Sequence, residues 1–290
     1  MDDTLSAQGA SKHVPVLLEA TMEYLNPEKG GIFLDGTFGG GGHTRAMLES
    51  SPEVCVVAID RDPEAEERSL ALKEIYGDRF RFYSMNFADI GRVEERSFDG
   101  ILFDFGLSSF QLDEGERGFS FRFDAPLDMR MGNDGQTAFE IVNKYKEADL
   151  ANIIFRYGEE RQSRKIAHRI VEHRKQKKIE TTFELSEIIK SATNKKYSKI
   201  HPSTKTFQGL RIFLNDELKE LYKALVASEN LLNENGRLIV IAFHSLEDRI
   251  VKNFLRFNSI SEKRYKLGES SHSFFYKNKR VSKPSDDEIK

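Results

Sequence analysis

Between residues 31 and 105 four short apolar runs rich in Val, Ile and Phe, at 31–38, 54–59, 79–87 and 98–105, are separated by polar and helix-patterned stretches such as 43–50 and 63–76. A chain that alternates β and α at this spacing folds as a parallel sheet with crossover helices. A fifth strand-like run lies at 237–243. Between them residues 137–193 read differently, because 148–157, 163–175 and 184–192 carry helical periodicity with no strand pattern among them. The expectation is an α/β domain built from 1–130 and 206–290, interrupted by a helical insertion over 131–205.

Charge separates the same regions. Residues 1–155 hold 15 basic and 29 acidic side chains, whereas 156–205 hold 14 basic and 6 acidic. A basic block in an acidic chain is the footprint of a polyanion binder, with a solvated helical face as the plain alternative. Arg164, Lys165, Arg169, Arg174, Lys175, Lys177 and Lys178 are its candidate phosphate contacts. With 22 Phe and 9 Tyr the chain can build a core, which argues against disorder. No run approaches the roughly 20 apolar residues of a membrane span, and the first residues lack the pattern of a secretion signal. A cytoplasmic setting is expected. The single Cys55 excludes an internal disulfide and any CxxC zinc site.

Open α/β sheets place ligands at the carboxyl ends of their strands. The first strand is followed by Asp35 and the run Gly36-Thr37-Phe38-Gly39-Gly40-Gly41-Gly42-His43, and the second by Asp60-Arg61-Asp62. A glycine loop plus a strand-end acid suits a nucleoside, Asp60 accepting from a ribose diol; a turn followed by a capping Asp is the structural alternative. No glycine has partners at both i+2 and i+5, and Gly42 precedes His43 rather than Lys, so dinucleotide and Walker A readings weaken. Acid, glycine loop, second acid is instead how methyltransferases hold S-adenosylmethionine. The fourth strand ends at Asp104-Phe105-Gly106. A kinase would also need a His-Arg-Asp loop and a Val-Ala-Ile-Lys strand, which the sequence lacks.

Several long motifs bring these pieces together: DGTFGGGGHT at 35–44, IDRDPEA at 59–65, DFGLSSFQLD at 104–113, ERGFSFRFDAPLDMRM at 116–131, FRYGEER at 155–161, HPSTKTFQGLRIFLNDEL at 201–218 and FHSLEDRIVK at 243–252. Over residues 13–288 the chain resembles the RsmH (MraW) family, bacterial methyltransferases acting on the N4 amine of a decoding-region cytidine of 16S ribosomal RNA. The resemblance implies a class I, Rossmann-like methyltransferase sheet with an inserted all-helical domain, and S-adenosylmethionine as cofactor. It implies cofactor contacts from Gly41, Gly42, His43, Asp60, Phe87, Asp104 and Gln111, 16S rRNA within the small subunit as partner, and room for a homodimer; for catalysis, Asp104 or a backbone carbonyl beside it is the candidate acceptor of a proton on the N4 amine. Phe105, Leu107 and Phe110 depart from the family's usual Leu, Val and Pro, and the Arg/Ser-rich segment that usually closes the family's sequence does not follow Lys290.

The remaining candidates carry two readings each. His43 opens a helix beside the glycine loop and is either a helix-start partner or a ligand contact. Cys55 reads as inert core. Ser245 and Asp248 resemble a helix cap, with the alternative placing His244 over the substrate base. The aromatic run 118–124 either stacks a flipped base or packs a core. No metal is expected, since the direct transfer to an exocyclic amine needs neither metal nor covalent intermediate.

Overall fold

The computed structural model describes residues 15–106, 115–132, 134–193 and 200–260. Gln111, one of the expected cofactor contacts, lies outside the described residues. Five strands form one parallel sheet in the order β3-β2-β1-β4-β5: β1 Gly31–Asp35, β2 Val54–Asp60, β3 Phe80–Ser84, β4 Phe98–Asp104 and β5 Leu232–Ile241. The chain winds outward from β1 through β2 to β3, then returns to lay β4 on the other side of β1. The crevice at that reversal, between the ends of β1 and β4, is where such sheets bind ligands.

Before the sheet runs α1, Leu18–Leu25; α2, Gly42–Ser50, joins β1 to β2, and α3, Pro63–Tyr76, joins β2 to β3. Asp62 starts α3 by accepting from the Glu64 N–H at 3.2 Å, with Pro63 in the first turn, where a missing N–H costs nothing. Alternate strand residues face opposite layers. Phe33, Val56 and Leu102 pack with Leu25, Met47 and Leu48, whereas Leu34, Val57, Ile101 and Phe103 pack with Leu221, Leu225 and Phe254. Both faces are covered, which explains the near-continuous apolar strands.

A third core is helical. It is built by α4 Ala138–Lys144, α5 Glu147–Gly158, α6 Ser163–Arg174, α7 Thr182–Ala192 and α8 Thr204–Leu214. Two capping boxes, Thr137 with Glu140 and Thr181 with Glu184, start α4 and α7. Where α5 meets α8, a Cβ on Gly158 would lie 2.2 Å from the Lys205 carbonyl oxygen, so only glycine permits that approach. Packing extends this core beyond 131–205 at both ends, taking in Phe119, Leu127 and Met129 before it and Phe207 and Leu210 after it. Two helices follow the insertion, α9 at Glu217–Glu229 and α10 at Ser245–Ile260.

Candidate active site

At the crevice, β1 ends in Asp35, which is almost fully buried. Its carboxylate accepts the Thr37 N–H at 3.1 Å and the Thr44 hydroxyl at 2.6 Å, folding the glycine loop back onto its own strand. Burial pushes the Asp35 carboxyl above its ordinary range, against the opposing pull of the Thr44 hydroxyl. Thr37 in turn accepts the Asp104 backbone N–H at 2.6 Å, and Gly36 donates to the Leu102 carbonyl at 2.9 Å. The loop is thereby fixed to β4, the strand that carries Asp104.

Asp60 closes the other side. One carboxylate oxygen takes the Gly39 N–H at 2.8 Å and the other the Asp62 N–H at 2.9 Å. Burial raises this carboxyl above its ordinary range too, and the two backbone donors offset only part of that. A carboxylate offers about four lone-pair sites, so one remains on each oxygen for a diol. Asp60 therefore ties the loop as well as facing the crevice, a double role that spacing alone did not reveal. Gly41 adopts φ 74°, and a Cβ on Gly42 would lie 2.3 Å from Pro15, so these two glycines also answer to packing within the chain.

His43 and Asp104 meet across the loop, with Nε2 3.7 Å from Oδ2. Both ring nitrogens of His43 and Oδ1 of Asp104 are buried without a hydrogen-bond partner in the protein. Buried polar groups are nearly always paired, so three such atoms side by side indicate a site completed by a polar ligand. Phe87 opens a short 3₁₀ turn after β3, its ring edge-on to Phe105 at 5.3 Å, and Phe105 stacks on Phe103 at 5.2 Å. The structure thus collects Gly41, Gly42, His43, Asp60, Phe87 and Asp104 at the carboxyl edge of one sheet.

A profile of the MraW methylase family matches residues 10–290. The chain belongs to the MraW methylase family. It is accordingly an S-adenosylmethionine-dependent methyltransferase. It is 51% identical over 248 residues to the ribosomal RNA small subunit methyltransferase H of Rickettsia massiliae, covering 85% of this chain and 80% of that protein. The protein of the same description from Rickettsia conorii is 50% identical over the same shares. A solved rRNA methylase from Streptococcus thermophilus aligns with 40% of this chain and 71% of its own at 18% identity and a TM-score of 0.27, too little to argue from.

Other motifs shared with the MraW methylases sort into structural and site roles. In 116–131, Phe119 is buried and Phe121 stacks on His201 at 4.3 Å, so two of the three phenylalanines in this run belong to the insertion core. Arg117 pairs with buried Asp62 at 2.8 Å and donates to the Arg130 carbonyl, strapping this segment to the carboxyl edge of the sheet. Asn215 completes the strap, accepting from Met131 N–H and donating to the Met129 carbonyl, both at 2.9 Å.

The start of α10 differs from the sequence expectation. His244 and Glu247, not Ser245 or Asp248, make the cap between them: the His244 ring accepts the first-turn Glu247 N–H, and the Glu247 carboxylate accepts the N–H groups of Phe243 at 2.8 Å and His244 at 3.2 Å. Ser245 instead donates to Glu159 of the insertion, which also pairs with Arg249 at 2.8 Å. His244 turns inward: its Nδ1 accepts the Glu247 N–H at 3.3 Å, and its Nε2 lies 3.2 Å from a Glu247 oxygen. Glu217, His244 and Glu247 could hold a metal by distance alone. An Nδ1 that accepts leaves the ring proton on Nε2, however, and Glu217 is already gripped by both arms of the Arg211 fork at 2.8 Å. Burial acts against the Arg211 charge, and Glu217 more than offsets it, raising its pKa.

Two further expectations change. Cys55 is half-buried rather than core, and it sits near the start of β2. Five residues of strand, about 16 Å, separate it from the Asp60 end. Arg174 is not available to a phosphate, because its guanidinium donates to the carbonyls of Val142, at 2.5 Å, and Tyr145 at the end of α4. Lys175 and Lys177 pair with Glu172 and Glu184. Arg164, Lys165, Arg169 and Lys178 are exposed, with no acidic partner among the described residues.

Proposed function

We propose that this chain methylates the N4 amine of cytidine 1402 of 16S ribosomal RNA, within the small ribosomal subunit in the cytoplasm. The observation that carries the reading is the juxtaposition of His43 and Asp104, whose buried polar atoms have no protein partner, at the end of β4 beside the glycine loop. The names of relatives at about half identity, ribosomal RNA small subunit methyltransferase H, support small-subunit ribosomal RNA as the substrate. Asp60 takes the ribose hydroxyls, Gly41, Gly42 and His43 line the loop against the amino-acid end, and Phe87 borders the adenine. Gln111 joins them on the strength of its motif. S-adenosylmethionine would supply an electrophilic methyl; its bond to sulfur would break as the bond to N4 forms, S-adenosylhomocysteine would leave, and the surplus N4 proton would pass by way of Asp104 to water.

The cytosine N4 lone pair is delocalised into its ring and is a poor nucleophile. Asp104 accepts a hydrogen bond from an N4 proton, drawing the nitrogen toward tetrahedral geometry and orienting its lone pair. The remaining contribution is positioning, by the loop that Asp35, Thr37 and Thr44 hold rigid. An amine on a base edge is reachable only when the nucleotide is unpaired or flipped out. The insertion, with a core spanning Phe119 to Leu210, supplies the RNA-facing surface through Arg164, Lys165, Arg169 and Lys178. Comparison of 16S rRNA nucleoside masses from cells with and without this gene tests the assignment. Loss of N4-methylcytidine at that one nucleotide is expected, and an unchanged RNA would overturn it.

A further inference from the structure

We propose that Phe243 is the platform on which the target cytosine stacks, an inference that rests on the RNA reading above. In the β4–β5 register Asp104 pairs with Ile241, so Gly106 and Phe243 each lie two residues beyond the paired strand ends. They touch there: a Cβ on Gly106 would fall 2.7 Å from the Phe243 ring, which lies over the bare glycine backbone. One side of the ring is thereby seated beside Asp104, while the residue remains 51% exposed.

The ring does not sit there by accident of a loose loop. Its backbone N–H is held by Glu247, which is 2% exposed, and the same carboxylate holds the next N–H, that of His244. A buried charged acceptor on two successive amides fixes the course of the chain and turns His244 inward and Phe243 outward. Phe105, the neighbouring aromatic on β4, is buried on Phe103 and presents no free face. The other exposed phenylalanines among the described residues, Phe123, Phe155 and Phe183, lie in the stretch leading to the insertion or on its helices. Two residues past Phe243, Ser245 bonds to Glu159 of the insertion, so the RNA-facing helices join the sheet next to this ring. A flipped pyrimidine needs a flat apolar surface within reach of the carboxylate that meets its amine, and aromatic side chains supply it.

The chain contains no tryptophan, so Phe243→Trp introduces a single fluorophore at the proposed contact. Its emission is titrated with small-subunit RNA carrying the target cytidine and with the same RNA abasic at that nucleotide, both with S-adenosylhomocysteine present. Strong quenching by the cytidine RNA and little by the abasic RNA is expected. In steady-state assays Phe243→Leu should raise KM for RNA about 5- to 150-fold, Phe243→Tyr should restore it, and cofactor affinity should hold in both. Equal quenching by the two RNAs, or a parental KM in a folded Phe243→Leu, would overturn the stacking role. Failure of the parent chain to methylate the cytidine RNA would instead overturn the reading on which it rests.

Discussion

The helical insertion closes its own ends: Thr137 with Glu140 and Thr181 with Glu184 satisfy the first turns of two helices, and Arg174 covers carbonyls at the far end of the first of them. The carboxyl edge of the sheet spends its hydrogen bonds on shaping a loop, through Asp35 and Asp60, and leaves both ring nitrogens of His43 and one buried oxygen of Asp104 without a hydrogen-bond partner in the protein. The first arrangement makes a stable body whose unpaired charges point outward. The second leaves buried polar atoms at the sheet edge without a partner in the protein, as a site for a polar ligand would. The proposed function puts chemistry at the sheet edge and recognition on the insertion, and that contrast can be broken at several points.

The largest effect is expected at Asp104. Asp104→Ala should slow single-turnover methyl transfer roughly 10²- to 10⁴-fold at saturating cofactor, whereas Cys55→Ser should leave turnover nearly intact. A fully active Asp104→Ala would remove the chemistry from this edge. Next in size is the joint between the regions. Arg211→Met leaves Glu217 buried and unpaired, and should cost about 3 to 5 kcal/mol in urea unfolding. In the insertion core, Gly158→Ala should cost about 1 to 3 kcal/mol by driving a methyl into the Lys205 carbonyl; a neutral result would mean that α5 and α8 are not held at that distance. The smallest effect belongs to the outward charges. Neutralising Arg164, Lys165, Arg169 and Lys178 should lower the salt dependence of RNA binding by about 0.7 to 0.9 per lost phosphate contact. Identical slopes would return that face to plain solvation.

Much of this contrast was legible in the residues. The strand ends put Asp35, Asp60 and Asp104 at one edge, because in a parallel sheet every carboxyl end points the same way, and the helical patterns of 148–157 and 163–175 matched α5 and α6 closely. Tertiary partners hid the rest. Nothing local shows that the Asp60 carboxylate also holds the Gly39 amide from 21 residues away. Ser245 looks like a cap until Glu159, 86 residues earlier, takes its hydroxyl. Arg174 reads as one cation among several, yet the open carbonyls of α4 consume it. The packing of Phe119 and Leu127 with the insertion helices was hidden in the same way, since they lie outside the helical pattern in a segment held by the Arg117 and Asn215 bonds.

The central claim is that the loop edge, and not the insertion, holds the cofactor. Calorimetric titration of S-adenosylmethionine into the parent chain, Asp60→Ala and the variant neutralised at Arg164, Lys165, Arg169 and Lys178 tests it most directly, with circular dichroism confirming that each is folded. Asp60→Ala should bind about 1.5 to 3 kcal/mol more weakly, for loss of a charged acceptor, while the insertion variant binds as the parent does. Parental affinity in folded Asp60→Ala, or weakened affinity in the insertion variant, would contradict the account.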